Sequence, residues 1–204
     1  MSQVSLQILV DRVCSGDHLI GFPTDTIPAL AARPDRADLI FTIKQRSLAK
    51  PLILMAAEIS DLWQYVAGTA AERQAWQQVA ERYLPGALTL VLPASDRVPA
   101  ALNPTDPTTI GVRVPNHAIA RAILAETGAL ATTSVNRSGK PALQTLAEIE
   151  TEFSEVMTLL PSELDRLGYG NQAGSGMPST VAKWTSHGWE ILRQGAIGLN
   201  LRES

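Results

Sequence analysis

The sequence predicts an α/β protein: one domain, residues 1–204, built on a twisted sheet of mixed parallel and antiparallel strands flanked by helices. Three observations predict it. Short apolar, β-branched runs alternate with segments of helical period along the chain. The alternation does not form regular βαβ units, so the strands need not all run one way. Near the C-terminus two strand-like runs flank Thr185-Ser186-His187-Gly188, a hairpin signature that adds an antiparallel pair. A length of 204 residues suits one domain, and 45% hydrophobic against 18% charged residues lets it build a core.

Each element follows from local pattern. Residues 5–14 place Leu6, Leu9, Val10 and Val13 at helical spacing, and Gly16 ends that helix. His18-Leu19-Ile20-Gly21-Phe22 reads as a buried strand cut off by Pro23, and residues 24–34 read as a loop of small residues. A helix is predicted over 37–46, and a strand over 52–56 after Pro51. Ser60 and Asp61 are read as caps for a short helix over 62–66, and Thr69 as the cap of a helix over 71–83. Pro85-Gly86 is a turn, 88–92 a strand, 98–106 a proline-rich loop, and 109–114 a strand closed by Pro115. Asn116 is read as capping a helix over 118–126 that Gly128 ends. A strand over 129–134, a loop over 135–141 and a helix over 145–153 follow. Four glycines and Pro178 make 168–179 a flexible loop, closed by the hairpin of 180–184 and 189–193. No internal repeat or heptad array is present.

Composition excludes several classes. The net charge of −3 argues against a generic, charge-driven nucleic-acid binder. Cys14 is the one cysteine, so an internal disulfide and a cysteine-based zinc site are both impossible. No apolar run reaches the roughly 18 residues of a membrane helix, and the first residues lack a basic stretch. A cytoplasmic location without membrane contact is expected. There is no P-loop, no G-x-G-x-x-G after a strand, no H-E-x-x-H and no G-x-S-x-G. His18, His117 and His187 sit in separate segments without ligand spacing, and no metal ligands are assigned.

What remains is polar residues at strand ends. Pro23-Thr24-Asp25-Thr26 follows a strand, and plain turn chemistry also accounts for it. Lys44, Arg46 and Lys50 lie within seven positions and can clamp phosphates, or simply complement a helix end. Arg113 interrupts an apolar strand and needs a carboxylate, from the protein or from a ligand. Ser134-Val135-Asn136-Arg137-Ser138-Gly139 gathers hydroxyls, an amide and a guanidinium at a strand end. Ser179 opens one hairpin strand, and Arg193 lies near the end of the other.

In this order, together with Pro85-Gly86-Ala87-Leu88-Thr89-Leu90-Val91 and Thr109-Ile110-Gly111-Val112-Arg113-Val114-Pro115, these stretches resemble the YrdC-type threonylcarbamoyl-AMP synthase family. The resemblance spans nearly the whole chain. It implies a large concave, positively lined cavity. It also implies a nucleotidyltransferase that condenses L-threonine, bicarbonate and ATP into threonylcarbamoyl-AMP and pyrophosphate. That product feeds the tRNA modification threonylcarbamoyladenosine. By position, the resemblance implies that Thr26, Arg113, Ser134 and Ser179 bind threonine and that Arg46, Lys50, Thr109, Asn136 and Arg193 bind ATP. Lys44 and Arg46 are then the catalytic cations, and Mg2+ bridges phosphates. Family members are also described as binding double-stranded RNA, so RNA and tRNA-modification proteins are implied partners. The alternative is a divergent, non-catalytic paralogue binding double-stranded RNA or nucleotide in the same cavity. A metal-dependent sugar-phosphate enzyme would need clustered carboxylates that the loops lack.

The chain departs from the family pattern at four places. Pro28 and Ala29 stand where the family has an aromatic and a glycine. Val135 enlarges an alanine, Gln144 stands at a threonine, and Met55 replaces a polar residue near the threonine site. The Pro28-Ala29 departure is expected to redirect its loop and weaken turnover, because proline restricts φ and alanine resists a left-handed backbone.

Overall fold

The computed structural model describes residues 3–137, 139–168 and 174–200. In chain order its elements are β1 (Gln3–Val4), α1 (Leu6–Ser15), β2 (Leu19–Phe22), β3 (Ala29–Ala32), α2 (Ala37–Lys44), β4 (Ile53–Met55), α3 (Ile59–Leu62), α4 (Ala70–Tyr83), β5 (Leu88–Pro93) and β6 (Thr109–Arg113). They continue with α5 (Ala118–Thr127), β7 (Leu130–Ser134), α6 (Leu146–Glu152), β8 (Val156–Leu159), α7 (Pro161–Arg166), β9 (Thr180–Thr185) and β10 (Gly188–Arg193). Among the described residues the ten strands form one sheet, ordered β1-β8-β2-β3-β7-β4-β6-β5-β9-β10. The β4–β6 and β5–β9 pairs run parallel, whereas β3–β7, β4–β7, β5–β6 and β9–β10 run antiparallel. The sheet is mixed, as predicted.

Local chemistry explains the ends of the helices. Ser5 accepts from the Ile8 amide at the start of α1, and Gly16, at φ 88°, closes it with an amide bond to the Val13 carbonyl. Thr69 and Glu72 form a capping box on α4, and Thr145 and Glu148 form one on α6. Two predicted caps differ. The Asp61 carboxylate accepts from the Glu58 amide, so α3 begins at Ile59, earlier than read. His117 rather than Asn116 occupies the cap of α5, and the Asn116 amide donates to Asp25 instead.

The main correction is β3. Residues 24–34 were expected to be loop, yet Ala29-Leu30-Ala31-Ala32 is a fully buried strand between β2 and β7. Alanine carries little strand preference, so burial on both faces and two ladders of hydrogen bonds form this strand in place of propensity. β1, β8 and α7 also went unpredicted.

Alternation along the strands feeds two cores. Leu30 of β3 and Leu54 of β4 join the larger one, with Ile40 and Phe41 of α2 and Trp76 of α4. Ala29, Ala31 and Met55 point the other way, toward Leu9 and Val13 of α1 and Ile119 and Ile123 of α5. On that second face, Gly111 of β6, Val91 of β5 and Val181 of β9 line a cavity. Behind the β9–β10 hairpin, Trp184 stacks edge-on between Trp76 and Trp189, with ring centroids 6.2 and 5.1 Å away. No described helix is long and apolar enough to cross a membrane.

Candidate active site

The cavity has a volume of about 700 Å³, inside the roughly 300–1,000 Å³ range of small-molecule sites. Its described wall carries six cations, Lys44, Arg46, Lys50, Arg113, Lys183 and Arg193, against one carboxylate, Asp106. A chain of net charge −3 therefore gathers a formal net charge of +5 around one space, with Lys44 counted as protonated. Such a wall attracts a polyanion. Nine of the ten residues singled out in the sequence are on it; Thr26 is not.

The first group joins the end of α2 to the loop after β7. Lys44 is buried, and its Nζ donates to the Ser134 carbonyl and, at 3.0 Å, to Asn136 Oδ1. Asn136 Oδ1 also accepts from Ser134 Oγ at 2.8 Å, while its amide donates to the carbonyls of Arg137 and Lys140. Lys44 thus braces the loop. Burial, then the charges of Arg46 and Lys50, push its amine down to about 7. Gln45, at φ 47°, reverses the chain, and Arg46 folds over the loop it enters. Its guanidinium donates to the carbonyls of Lys50 at 2.9 Å and Pro51 at 3.0 Å. Among the described residues the Lys50 amine has no hydrogen-bond partner.

Arg113 closes β6 and is 3% exposed. Its Nη2 pairs with Asp25 at 2.7 Å, Nη1 donates to Thr26 Oγ1 at 2.9 Å, and Nε donates to the Gly86 carbonyl at 3.1 Å. Three of five N–H groups are so engaged, which leaves two. Burial lowers its pKa and Asp25 opposes that. Arg113 answers both sequence readings at once, having a protein carboxylate and a place on the cavity wall. Thr26 lies behind it, fully buried, with its hydroxyl bonded to Arg113 and 3.1 Å from Thr24 Oγ1.

Beside Arg113, Ser179 Oγ lies 2.9 Å from Thr89 Oγ1, and Arg193 donates to the Ser179 carbonyl at 2.8 and 3.2 Å. Gly195 makes that arrangement possible: a Cβ there would stand 2.3 Å from the Pro178 carbonyl oxygen. At the other end of β6, Thr109 donates to Asp106 at 3.1 Å and accepts from Asn103 at 3.1 Å. Hydrogen bonds from Thr108, then Thr109, hold the Asp106 carboxyl below its ordinary range. The Gly168–Ser179 loop reaches the site through its described end, where Ser175 and Gly176 donate to the carbonyls of Asp25 and Thr26. Residues 169–173, with Gly170, and Ser138 lie outside the described residues.

Sequence reasoning missed four wall or support residues: Asp25 as partner of Arg113, Thr89, Asp106 and Lys183. The signal for Lys183 was present, since Ser179, Val181 and Lys183 share one face of an extended segment. Ala29, expected to disturb its loop, has ordinary strand backbone opposite Ser134.

Comparison with known proteins gives a consistent set. The family model described as telomere recombination, covering Sua5, YciO and YrdC, matches residues 12–195. A threonylcarbamoyl-AMP synthase of Bacillus subtilis (strain 168) is 33% identical over 190 residues, covering 89% of this chain and 51% of that protein. One from Vibrio cholerae serotype O1 is 32% identical, covering 94% of this chain and 97% of that protein. The chain therefore spans about half of the first relative and nearly all of the second. The structure of Pyrococcus abyssi Sua5 complexed with L-threonine superposes with a TM-score of 0.78 at 28% identity, covering 93% of this chain and 54% of that one. Escherichia coli YciO shares the fold, with a TM-score of 0.77 at 22% identity, covering 98% of this chain and 95% of that one.

Proposed function

The chain belongs to the Sua5/YciO/YrdC family, and from that membership we propose that it is an L-threonylcarbamoyladenylate synthase. It condenses L-threonine, bicarbonate and ATP to threonylcarbamoyl-AMP and pyrophosphate, for tRNA threonylcarbamoyladenosine formation. The observation that carries the reading is the wall of six cations and one carboxylate around a single cavity, with buried Arg113 among them. Relatives bearing the synthase name and the threonine-bound fold neighbour support it.

In this reading the two uncommitted N–H groups of Arg113 take the threonine carboxylate, with Thr26 and Asp25 holding the guanidinium in place. Ser179 and Ser134 contact the same substrate. Arg46, Lys50, Thr109, Asn136 and Arg193 hold ATP, with Lys44 keeping Asn136 and the Ser134 carbonyl in position. The threonine ammonium group gives up one proton, and the resulting amine combines with bicarbonate to a carbamate with loss of one water. A carbamate oxygen then forms a bond to the α-phosphorus as the bond to pyrophosphate breaks. The chain's part is to align these atoms and stabilise negative charge on the α-phosphoryl group and leaving pyrophosphate. Mg2+ would be brought in with ATP and held mainly by the nucleotide, Asp106 being the one carboxylate on the described wall that could assist. When bound it neutralises phosphate charge.

Residues 1–204 are taken as a single YrdC-like domain, in keeping with the one continuous sheet. A cytoplasmic location and tRNA-modification partner proteins belong to the same proposal. No observation favours the non-catalytic, double-stranded-RNA-binding alternative. The test is pyrophosphate release from ATP. It should require both threonine and bicarbonate; release independent of either overturns the assignment.

A further inference from the structure

Two hydroxyls meet on the cavity floor and share one hydrogen for which the described residues offer no acceptor. Thr89 Oγ1 and Ser179 Oγ are 2.9 Å apart. The residues are 2% and 5% exposed, and both line the cavity. Together they carry two O–H hydrogens, and their mutual bond uses one whichever group donates. Arg193 Nη2 donates into Ser179 Oγ at 3.3 Å, which occupies a lone pair and no hydrogen. Among the described residues no acceptor meets the second hydrogen. Buried polar groups in native proteins find a partner in protein, water or ligand. Here the space in front of the pair is the cavity.

The strand register says which part of a ligand lies there. Leu90 pairs with Val112, so Thr89 and Arg113, one residue further on each strand, are neighbours on the same face. On the opposite flank Met55 pairs with Arg113. Adjacent strands are about 4.8 Å apart. A carboxylate seated on Arg113 therefore has a hydroxyl pair on one side and an apolar thioether on the other, each one strand away. A carbon two bonds from that carboxylate, bearing one hydroxyl and one methyl, satisfies both.

We infer that Thr89 and Met55 read the β-carbon of the amino-acid substrate: the spare hydrogen of the Thr89–Ser179 pair donates to its side-chain hydroxyl, while Met55 packs on its methyl. This rests on the synthase reading for the presence of an amino acid on Arg113. The site then discriminates against valine, which offers no acceptor; against serine, which leaves Met55 uncovered; and against the β-epimer of threonine, which exchanges the two groups. A pocket built around a hydrogen bond rejects the ligand lacking it more strongly than an apolar pocket rejects a missing methyl.

Equilibrium binding of L-threonine, L-allo-threonine, L-valine and L-serine, with a non-hydrolysable ATP analogue present, tests it separately from turnover. The wild-type chain should bind threonine at least about tenfold more tightly than valine or allo-threonine. Thr89→Val should weaken threonine about tenfold, leave valine within about twofold, and so collapse the ratio. Thr89→Ser, which keeps the hydroxyl, should restore it. Equal weakening of threonine and valine in Thr89→Val, or an unchanged ratio, overturns the inference. Threonine-selective binding without pyrophosphate release would leave the inference standing and remove the synthase reading. Failure of the wild type to bind any of the four removes both.

Discussion

Asp25 and Arg113 form an ion pair of 2.7 Å between the loop after β2 and the end of β6, with side chains 16% and 4% exposed. Asp25 also accepts from the Asn116 amide at 3.2 Å, so one carboxylate ties three segments together. Removing one partner of a buried pair leaves the other charge uncompensated, at about 3 kcal/mol. Asp25→Ala should lose stability of that order in urea denaturation, and Asp25→Asn less, because its amide oxygen still accepts both bonds. Equal stability of wild type and Asp25→Ala would show that the pair contributes nothing to the fold.

Arg113 itself is the residue proposed to take the threonine carboxylate. A charge-assisted bond of this kind is worth about 1.5–3 kcal/mol. Arg113→Ala should weaken threonine binding at least about tenfold and leave ATP affinity within about threefold, measured by calorimetry. Loss of both affinities together would place the effect in the fold.

Arg46 bridges two carbonyls of its own loop, those of Lys50 and Pro51. Arg46→Ala should therefore release the loop that carries Lys50 and weaken ATP binding at least about tenfold while the fold persists. Arg46→Lys should not restore it, since a point charge cannot reproduce the planar fork. Full ATP affinity in a folded Arg46→Ala variant would sever the loop from nucleotide binding.

Helices α1, α4 and α6 were legible because their ends carry local chemistry: Gly16 after an apolar stripe, Thr69 with Glu72, and Thr145 with Glu148. β3 was not, because Ala29-Leu30-Ala31-Ala32 is held by its neighbours and has no propensity of its own. Most of the candidate site was legible as residues, since cations inside apolar strands are conspicuous. Its contacts were not. Asp25 lies 88 positions from Arg113, and Ser179 lies 90 from Thr89, so only the folded register reveals those pairs. The same holds for Lys44, which lines the cavity and also braces Asn136, 92 positions away.

Lys44 gives a pH signature. Its amine titrates near 7 in the folded chain against 10.5 ordinarily, chiefly through burial. Between these values the unfolded chain holds a proton that the folded chain has released, so stability rises with pH across that window. Below pH 7 both forms are charged and the folded state bears the whole burial cost. Urea denaturation of wild type and Lys44→Met at pH 6.5 and pH 9 should show wild type gaining on the variant at the higher pH. Parallel shifts in the two proteins would mean that the buried ammonium is not destabilised.

The departure at Pro28-Ala29 divides into two parts with different outcomes. Ala29 is an extended residue of β3, buried, and paired with Phe22 and Ser134. It needs no left-handed backbone, so a glycine there gains no conformation and loses about 0.5–1 kcal/mol of strand stability. Pro28 donates no amide bond, but its carbonyl accepts from the Val135 amide at 3.1 Å, and the residue lines the cavity. Ala29 lines the cavity too, but glycine there removes a methyl from the wall, so of the two replacements Pro28→Tyr is the one that adds to it. Pro28→Tyr alone should therefore carry any rise in threonine-dependent ATP turnover, and Ala29→Gly alone should lower stability and leave turnover within about twofold. A gain seen only when both are replaced would mean that the strand start, and not the wall, limits this cavity.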